Sequence, residues 1–195
     1  FPLVFQLPSK DGNTTLYNRM ILPPDFDYKK KYPVLVYVYG GPHAQMIQDR
    51  WMSNADYFQM HMAAKGYIVY TLDNRGSAGR SFEFESAVHR RLGELEMEDQ
   101  MVGINYLKKQ SFVDTTRMGC FGWSFGGFLT TYITLKNPNL FKASVAGGPV
   151  TDWKMYEIMY TERYMDTPEK NPEGYKNADL KNLIKKKKSK LLLIH

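Results

Sequence analysis

The chain has 195 residues, about one domain, with 43% hydrophobic and 14% aromatic content, which permits a buried core and excludes overall disorder. Its 26 basic and 20 acidic residues leave a net charge of +6, and much of that excess is local, because Lys185-Lys-Lys-Lys188 and Lys190 put five positive charges into six residues. No aromatic residues are interleaved with those lysines as stacking platforms, so nucleic acid is not an expected partner, and no apolar run is long enough to span a membrane.

In chain order, Asp11-Gly12 reads as a hairpin turn between extended segments at Leu3–Leu7 and Thr15–Leu22. The opening Phe1-Pro-Leu-Val-Phe5 has no initiator methionine and is expected to be a cut end. Asn13-Thr-Thr15 fits a glycosylation acceptor, which matters only in a secreted protein. Pro33–Tyr39 is a continuous β-branched and apolar run, the pattern of a strand buried on both faces of a parallel sheet, and Gly40-Gly-Pro42 stops it. A helix is predicted over 51–65 with Gly66 as its C-cap, then a strand over Tyr67–Leu72 closed by Asp73-Asn-Arg-Gly76. Residues 94–109 have helical spacing, with Met97, Met101, Ile104 and Leu107 on one face. The early acids Glu94, Glu96, Glu98 and Asp99 suit the positive end of that helix, and no histidine joins them, so no metal is expected. A strand over Arg117–Phe121 precedes a helix over Phe125–Leu135. Another strand at Ala143–Ala146, a helix over Trp153–Tyr164 and a last strand at Leu191–Ile194 follow. Cys120, the one cysteine, excludes an internal disulfide and reads as a small packing residue. Strands separated by helices of this length imply an α/β fold, a mainly parallel sheet flanked by helices, in one domain spanning 1–195 or part of one. The lysine run is the solvated approach to the last strand.

Between the fifth strand and its helix stands Gly122-Trp-Ser124-Phe-Gly126, which fits G-x-S-x-G. After a strand and before a helix, this pattern sets a serine on a strained turn with its hydroxyl exposed. A serine N-cap in a glycine-rich turn would look alike locally. If Ser124 is a nucleophile, one oxyanion donor is the backbone N–H of Phe125. Tyr39, at the C-terminal end of a strand, could offer its phenol as the second, or simply pack. No glycine fingerprint for a cofactor is present.

Taken together, Leu22-Pro-Pro24, Tyr32-Pro-Val-Leu-Val-Tyr-Val-Tyr-Gly-Gly-Pro42, Asp73-Asn-Arg-Gly-Ser77, Gly122-Trp-Ser-Phe-Gly-Gly127 and Tyr160-Thr-Glu-Arg-Tyr-Met165 resemble the catalytic domain of the prolyl oligopeptidase superfamily, in its dipeptidyl peptidase IV branch. The resemblance runs over nearly the whole chain. It implies an α/β-hydrolase fold, Ser124 as nucleophile, and Tyr39 with the Phe125 amide as the oxyanion hole. It also implies release of short N-terminal peptides ending in proline or a small residue. Val150, Trp153, Tyr156 and Tyr160 match the positions that wall the proline pocket; Tyr156 and Tyr160, four apart, would share a helix face. Glu157 matches an acid that in some tripeptide-releasing relatives holds the substrate's amino terminus. By the same resemblance the parent is a homo-oligomer in a periplasmic or extracellular setting.

Two departures stand out. The branch usually has Tyr where this chain has Phe125, so the pocket lacks one hydroxyl while the amide donor is kept. The β-propeller that normally precedes the domain is not among these residues. Of the histidines, His43, His61 and His89 precede Ser124 and only His195 follows it, whereas the triad order of elbow enzymes is Ser, acid, His. Leu191–His195 matches the strand just before the acid-bearing loop, so the aspartate and the histidine are expected beyond residue 195, with the fold C-terminally incomplete and the fragment inactive alone. Asp152, Asp166 and Asp179 follow Ser124 but are not assigned to the triad; Asp152 is expected to cap its helix. Asp73 and Arg75 are expected to brace a loop. An esterase or acylaminoacyl peptidase of the same fold, or a non-catalytic binding module, are the alternatives.

Overall fold

The structure, a computed structural model, describes residues 2–186 and 188–195. Phe1, in the expected cut end, and Lys187, in the lysine run, lie outside the described residues. The strands β1 (Leu3–Pro8) and β2 (Thr15–Ile21) form an antiparallel hairpin whose turn places Gly12 at φ 75°. β2 then pairs antiparallel with β4 (Ile68–Asp73). From β4 onward every pairing is parallel, through β3 (Tyr32–Tyr37), β5 (Val113–Trp123), β6 (Ala143–Gly147) and β7 (Lys190–Ile194). The described residues thus make one seven-stranded sheet in the order β1-β2-β4-β3-β5-β6-β7.

Helices fill the crossovers, as parallel pairing requires. These are α1 (Tyr57–Ala64), α2 (Phe82–Ser86), α3 (Glu94–Lys108), α4 (Phe125–Lys136), α5 (Ile158–Met165) and α6 (Pro172–Ala178). One sheet face carries Val34, Val36 and Val38 of β3 and its extension, Ile68, Tyr70 and Leu72 of β4, and Met118 and Cys120 of β5. These pack with Ile104 and Leu107 of α3 and Phe128, Leu129 and Ile133 of α4. The opposite face is thinner, with Ile21 and Val69 meeting Ala63 of α1. That asymmetry corrects the expectation for β3. Its burial alternates, with Leu35 and Tyr37 only half-buried, because the α1 side covers it incompletely.

Three other readings change. The predicted helix over 51–65 begins only at Tyr57, where Asp56 accepts the Gln59 N–H as N-cap; Met52 and Ser53 have positive φ and a short turn at Trp51–Asn54 precedes it. The cause is Arg19, buried on β2, whose guanidinium donates to the carbonyls of Met46 (3.0 Å) and Ser53 (2.6 Å), to Thr71 Oγ1 (3.1 Å) and to Gln59 Oε1. It holds the loop in an irregular path. Gly66, at φ 90°, ends α1 as expected. The predicted helix over Trp153–Tyr164 is two pieces: a 3₁₀ turn at Trp153–Met155, capped by Asp152, and α5, with Tyr156 extended between them.

The acids of α3 are not mere dipole partners. Glu96 and Asp99 are fully buried beside Gln100, a polar stripe that the apolar periodicity misses. Asp99 receives Arg75 Nη2 at 2.7 Å and the Arg75 backbone N–H at 2.9 Å, so a carboxylate is buried only with its partner. Arg75 also reaches Asp11 and Glu98, tying the hairpin to α3. Removing one member of a buried pair strands the other charge. Asp99→Ala is therefore expected to lower stability by about 3 kcal/mol, whereas Glu98→Ala, at the exposed end of the cluster, costs less than about 1 kcal/mol. Urea unfolding of both variants checks the contrast.

Candidate active site

The turn after β5 is set by backbone crowding. Ser124 has φ 57° and ψ −119°, a region costly for any residue with a side chain. Its N–H donates to the Gly147 carbonyl at 2.8 Å, and its own carbonyl accepts the Phe128 N–H at 3.0 Å, opening α4. A Cβ at Gly122 would stand 2.3 Å from the Val38 carbonyl oxygen, and one at Gly126 would stand 2.3 Å from the same oxygen. Only glycine lets β3, β5 and α4 approach so closely. Ser124 stands at the N-cap position of α4, but its side chain makes no capping hydrogen bond there, unlike the capping serine that the sequence alone allowed.

Tyr39 follows β3 and lies half-buried beside this turn. Burial raises its phenol above the ordinary tyrosine range, Tyr156 adds to the rise, and a side-chain hydrogen bond with Ser124 opposes it. At neutral pH the phenol keeps its proton and can donate. The loop after Tyr39 is held by the two residues that follow Thr71-Leu72. Asn74 Nδ2 donates to the Gly40 carbonyl at 2.9 Å, and Gln100 Nε2 fixes Asn74 by donating to its Oδ1 at 2.9 Å. Asp73 accepts the N–H groups of Met46 and Ile47, both at 2.9 Å. Asp73 and Arg75 thus brace loops as expected, while Asn74 and Gln100 are supports that motif reading passed over. Asn74 stands inside the quoted Asp73-Asn-Arg motif, and that is its only signal.

The aromatic residues assemble next to Ser124. Phe125 is buried, its ring 5.6 Å from Trp153 and 6.4 Å from Tyr39. Trp153 is 1% exposed and stacks nearly parallel on Tyr160, with centroids 6.0 Å apart and planes 9° apart. Tyr156 meets both edge-on, at 5.7 Å and 5.4 Å. Tyr156 is outside α5, so the two tyrosines do not share a helix face; they meet through the bend at Glu157. Val150 is half-buried at the margin of the core. Of the four residues expected in one wall, Trp153, Tyr156 and Tyr160 are brought together, with Trp153 buried behind the two tyrosines. Burial, reinforced by Tyr39, raises the Tyr160 phenol well above its ordinary range. Glu157 is the N-cap of α5, its two oxygens accepting the Met159 N–H at 2.9 Å and the Tyr160 N–H at 2.7 Å.

The histidines are dispersed. His43, at φ 60°, lies 5.8 Å from the Tyr164 ring, His61 is on α1, and His89 follows α2. His195 follows β7 at the same sheet end as Ser124; the neighbouring Ile194 carbonyl accepts the Gly148 N–H at 2.7 Å. Cys120 is buried, its thiol pushed up to about 12 by burial, and it serves packing. Asp152 accepts the Lys154 N–H as the expected cap and also pairs with Lys181 at 2.6 Å. Among the described residues no group of three His, Cys, Asp or Glu could hold a metal ion, and no helix is long and apolar enough to cross a membrane.

Residues 53–195 match the model of the prolyl oligopeptidase family. Dipeptidyl peptidase 8 from Mus musculus is 38% identical over 199 residues, which take in 100% of this chain and 22% of the relative. Prolyl endopeptidase FAP from Mus musculus is 39% identical over 87% of this chain and 22% of its own length. Among solved structures, a Bacteroides ovatus protein assigned as a dipeptidyl aminopeptidase IV superposes with a TM-score of 0.98 at 53% identity, over 100% of this chain and 28% of that one. Dipeptidyl peptidase 4 of Porphyromonas gingivalis gives a TM-score of 0.91 at 32% identity, over 98% and 27%. The chain therefore spans about a quarter of the length of these relatives, and its sheet is that of an α/β-hydrolase.

Two measurements test the scaffold of this site. Gly126→Ala drives a methyl into the Val38 carbonyl and is expected to destabilise the chain by about 3 kcal/mol or more, read as a fall in Tm. Burial raises Asp73 from 3.8 to about 6, against the Met46 and Ile47 donors and Arg19. Its contribution to stability is thus fully present below pH 3.8 and lost as pH rises through about 6, a change of about 3 kcal/mol. Asp73→Asn is expected to flatten the urea-stability profile across that window.

Proposed function

The chain belongs to the prolyl oligopeptidase family, and from that premise we propose that it is the nucleophile-bearing part of a serine exopeptidase that releases N-terminal di- or tripeptides after proline or a small residue. The observation that carries this reading is the strained Ser124 turn, with the Tyr39 phenol and the Phe125-Trp153-Tyr156-Tyr160 cluster beside it.

In this reading the Ser124 Oγ attacks the carbonyl carbon of the scissile peptide bond while a base takes its proton. The oxygen of the tetrahedral intermediate accepts from the Tyr39 O–H and the Phe125 N–H, both fixed before substrate arrives. The C–N bond breaks, the amine leaves with a proton, and water then hydrolyses the acyl-enzyme. The proline ring lies against Tyr156 and Tyr160, with Val150 at the edge and Trp153 behind. A flat aromatic slot favours a compact ring without a free N–H. Phe125 contributes its amide and its packing, and leaves the slot without the hydroxyl that tyrosine would add. Glu157 already satisfies two backbone donors as N-cap, so its part is to set the Tyr156–Tyr160 bend, and a substrate amino group meets only its remaining acceptor capacity.

The base and its acid partner are assigned to a histidine and an aspartate, respectively, after residue 195. In support, three histidines precede Ser124, and His195 stands at the end of β7. The 195 residues alone are accordingly expected to be inactive and unlabelled by a fluorophosphonate, with Ser124 labelled in the natural full-length polypeptide. There, Ser124→Ala is expected to lower kcat on Gly-Pro-p-nitroanilide by about 10⁴-fold or more, and Tyr39→Phe by about 10²-fold. Undiminished hydrolysis in Ser124→Ala would overturn the assignment. Tyr156→Ala is expected to abolish proline preference. Unchanged preference, with other acyl substrates still cleaved, would favour the esterase or acylaminoacyl peptidase reading.

A further inference from the structure

Behind the aromatic wall lie polar atoms that no neighbour satisfies. Among the described residues, Glu96 Oε1, Trp153 Nε1 and Thr161 Oγ1 are buried without a hydrogen-bond partner, in side chains of residues that are 0%, 1% and 2% exposed. Interiors seldom leave such groups unpaired, and ordered water commonly completes them.

A chain of buried neighbours connects the residues that carry these atoms. Glu96 lies in the first turn of α3, and its other oxygen accepts the Gly93 N–H at 3.0 Å. Gly93 leaves room only for the rings of Phe128 and Tyr132, and Phe128 meets Trp153 edge-on at 5.1 Å. Trp153 stacks on Tyr160, whose phenol lies within reach of the Glu96 charge. Thr161, next to Tyr160, shares the buried face of α5 with Met165, and the Met165 sulfur accepts the Leu92 N–H at 3.5 Å. The turn at 92–96 therefore meets α5 directly through Met165 and is linked to Trp153 through Phe128.

We propose that Glu96 is a positioning residue for the proline pocket: its carboxyl, Trp153 Nε1 and Thr161 Oγ1 share buried solvent that locks the Trp153–Tyr160 stack against α3. This inference rests on the pocket assigned above. Burial pushes the Glu96 carboxyl up to about 8, opposed by N–H donation from its own backbone and Gly93, raised further by Asp99 and lowered by Arg91. The charged and titratable groups facing it are Asp99 on α3, Arg91 in the preceding turn, Tyr132 on α4 and Tyr160 on α5. A neutral carboxyl both donates and accepts, so it can complete such a network; an ionised one only accepts. Above pH 8 the carboxyl ceases to donate and becomes a buried charge beside Asp99, and the wall loosens.

The first test needs no turnover. The indole ¹⁵N–¹H resonance of Trp153, identified through Trp153→Phe, is followed in this chain from about pH 6 to 10. It is expected to move with a midpoint near 8, and Glu96→Gln is expected to abolish the movement. A resonance indifferent both to pH and to Glu96→Gln overturns the network. The second test uses the natural full-length polypeptide. Glu96→Ala is expected to raise KM for Gly-Pro-p-nitroanilide about tenfold while leaving the rate of fluorophosphonate labelling at Ser124 unchanged, with Glu96→Gln close to wild type below pH 8. An unchanged KM in Glu96→Ala overturns the positioning role. If Glu96→Ala does not fold, the Glu96→Gln profile decides: a KM that no longer rises above pH 8 supports the role, and one that still rises overturns it. Wild-type polypeptide that neither labels nor cleaves sinks the peptidase reading instead, a failure that the indole titration, independent of catalysis, tells apart.

Discussion

The Val38 carbonyl is the point at which this structure has no slack. Three backbone segments meet there, the end of β3, the end of β5 and the first turn of α4, and a methyl on Gly122 or Gly126 would stand 2.3 Å from that oxygen. The close approach dictates the left-handed conformation of Ser124, since the chain must reverse from strand to helix within one residue. It also fixes which groups are neighbours. Tyr39 follows Val38 directly, Phe125 follows Ser124, and Gly147 of the adjacent strand receives the Ser124 N–H. The strain at one residue is carried by a sheet and a helix that are themselves fully buried at the contact.

A second layer holds the first in register. Asp73, Asn74 and Arg75 leave the end of β4 in succession, and each is anchored elsewhere: Asp73 to the loop at Met46 and Ile47, Asn74 to Gly40, Arg75 to Asp99 on α3. Arg19 holds the far end of the same loop. Polar groups buried this deeply cost stability unless each is paired, and their pairing makes the loop that presents Tyr39 a rigid part of the sheet. Pre-positioned donors need no reorganisation when charge develops, which is why such bracing suits an oxyanion site.

The wall of aromatic rings follows a different logic. Trp153 is a core residue, and the rings in front of it are placed by the bend at Tyr156–Glu157, where Glu157 caps α5 through two backbone amides. The glutamate's position is therefore explained by local structure before any substrate is considered. The same economy applies to the acids of α3, where Glu96 caps Gly93 and Asp99 neutralises Arg75.

Local patterns in the sequence determined much of this protein. The β-branched run before Gly40 and the strand entering Gly122-Trp-Ser124-Phe-Gly126 announced a parallel α/β sheet, because alternation and turn chemistry act over a few residues. So did the helix spacing after Phe125 and the hairpin at Asp11-Gly12. The resemblance those motifs carry led to the expectation of Ser124, Tyr39 and the residues around Trp153 in one site. Tertiary structure alone decided the rest. That Arg19 replaces a first helical turn with an irregular loop, and that Glu96, Asp99 and Gln100 lie in the core, are outcomes of contacts between residues dozens of positions apart. Charged and polar side chains read as surface until a distant partner is known to desolvate and pair them, and that partner is set by the sheet order and not by any local pattern.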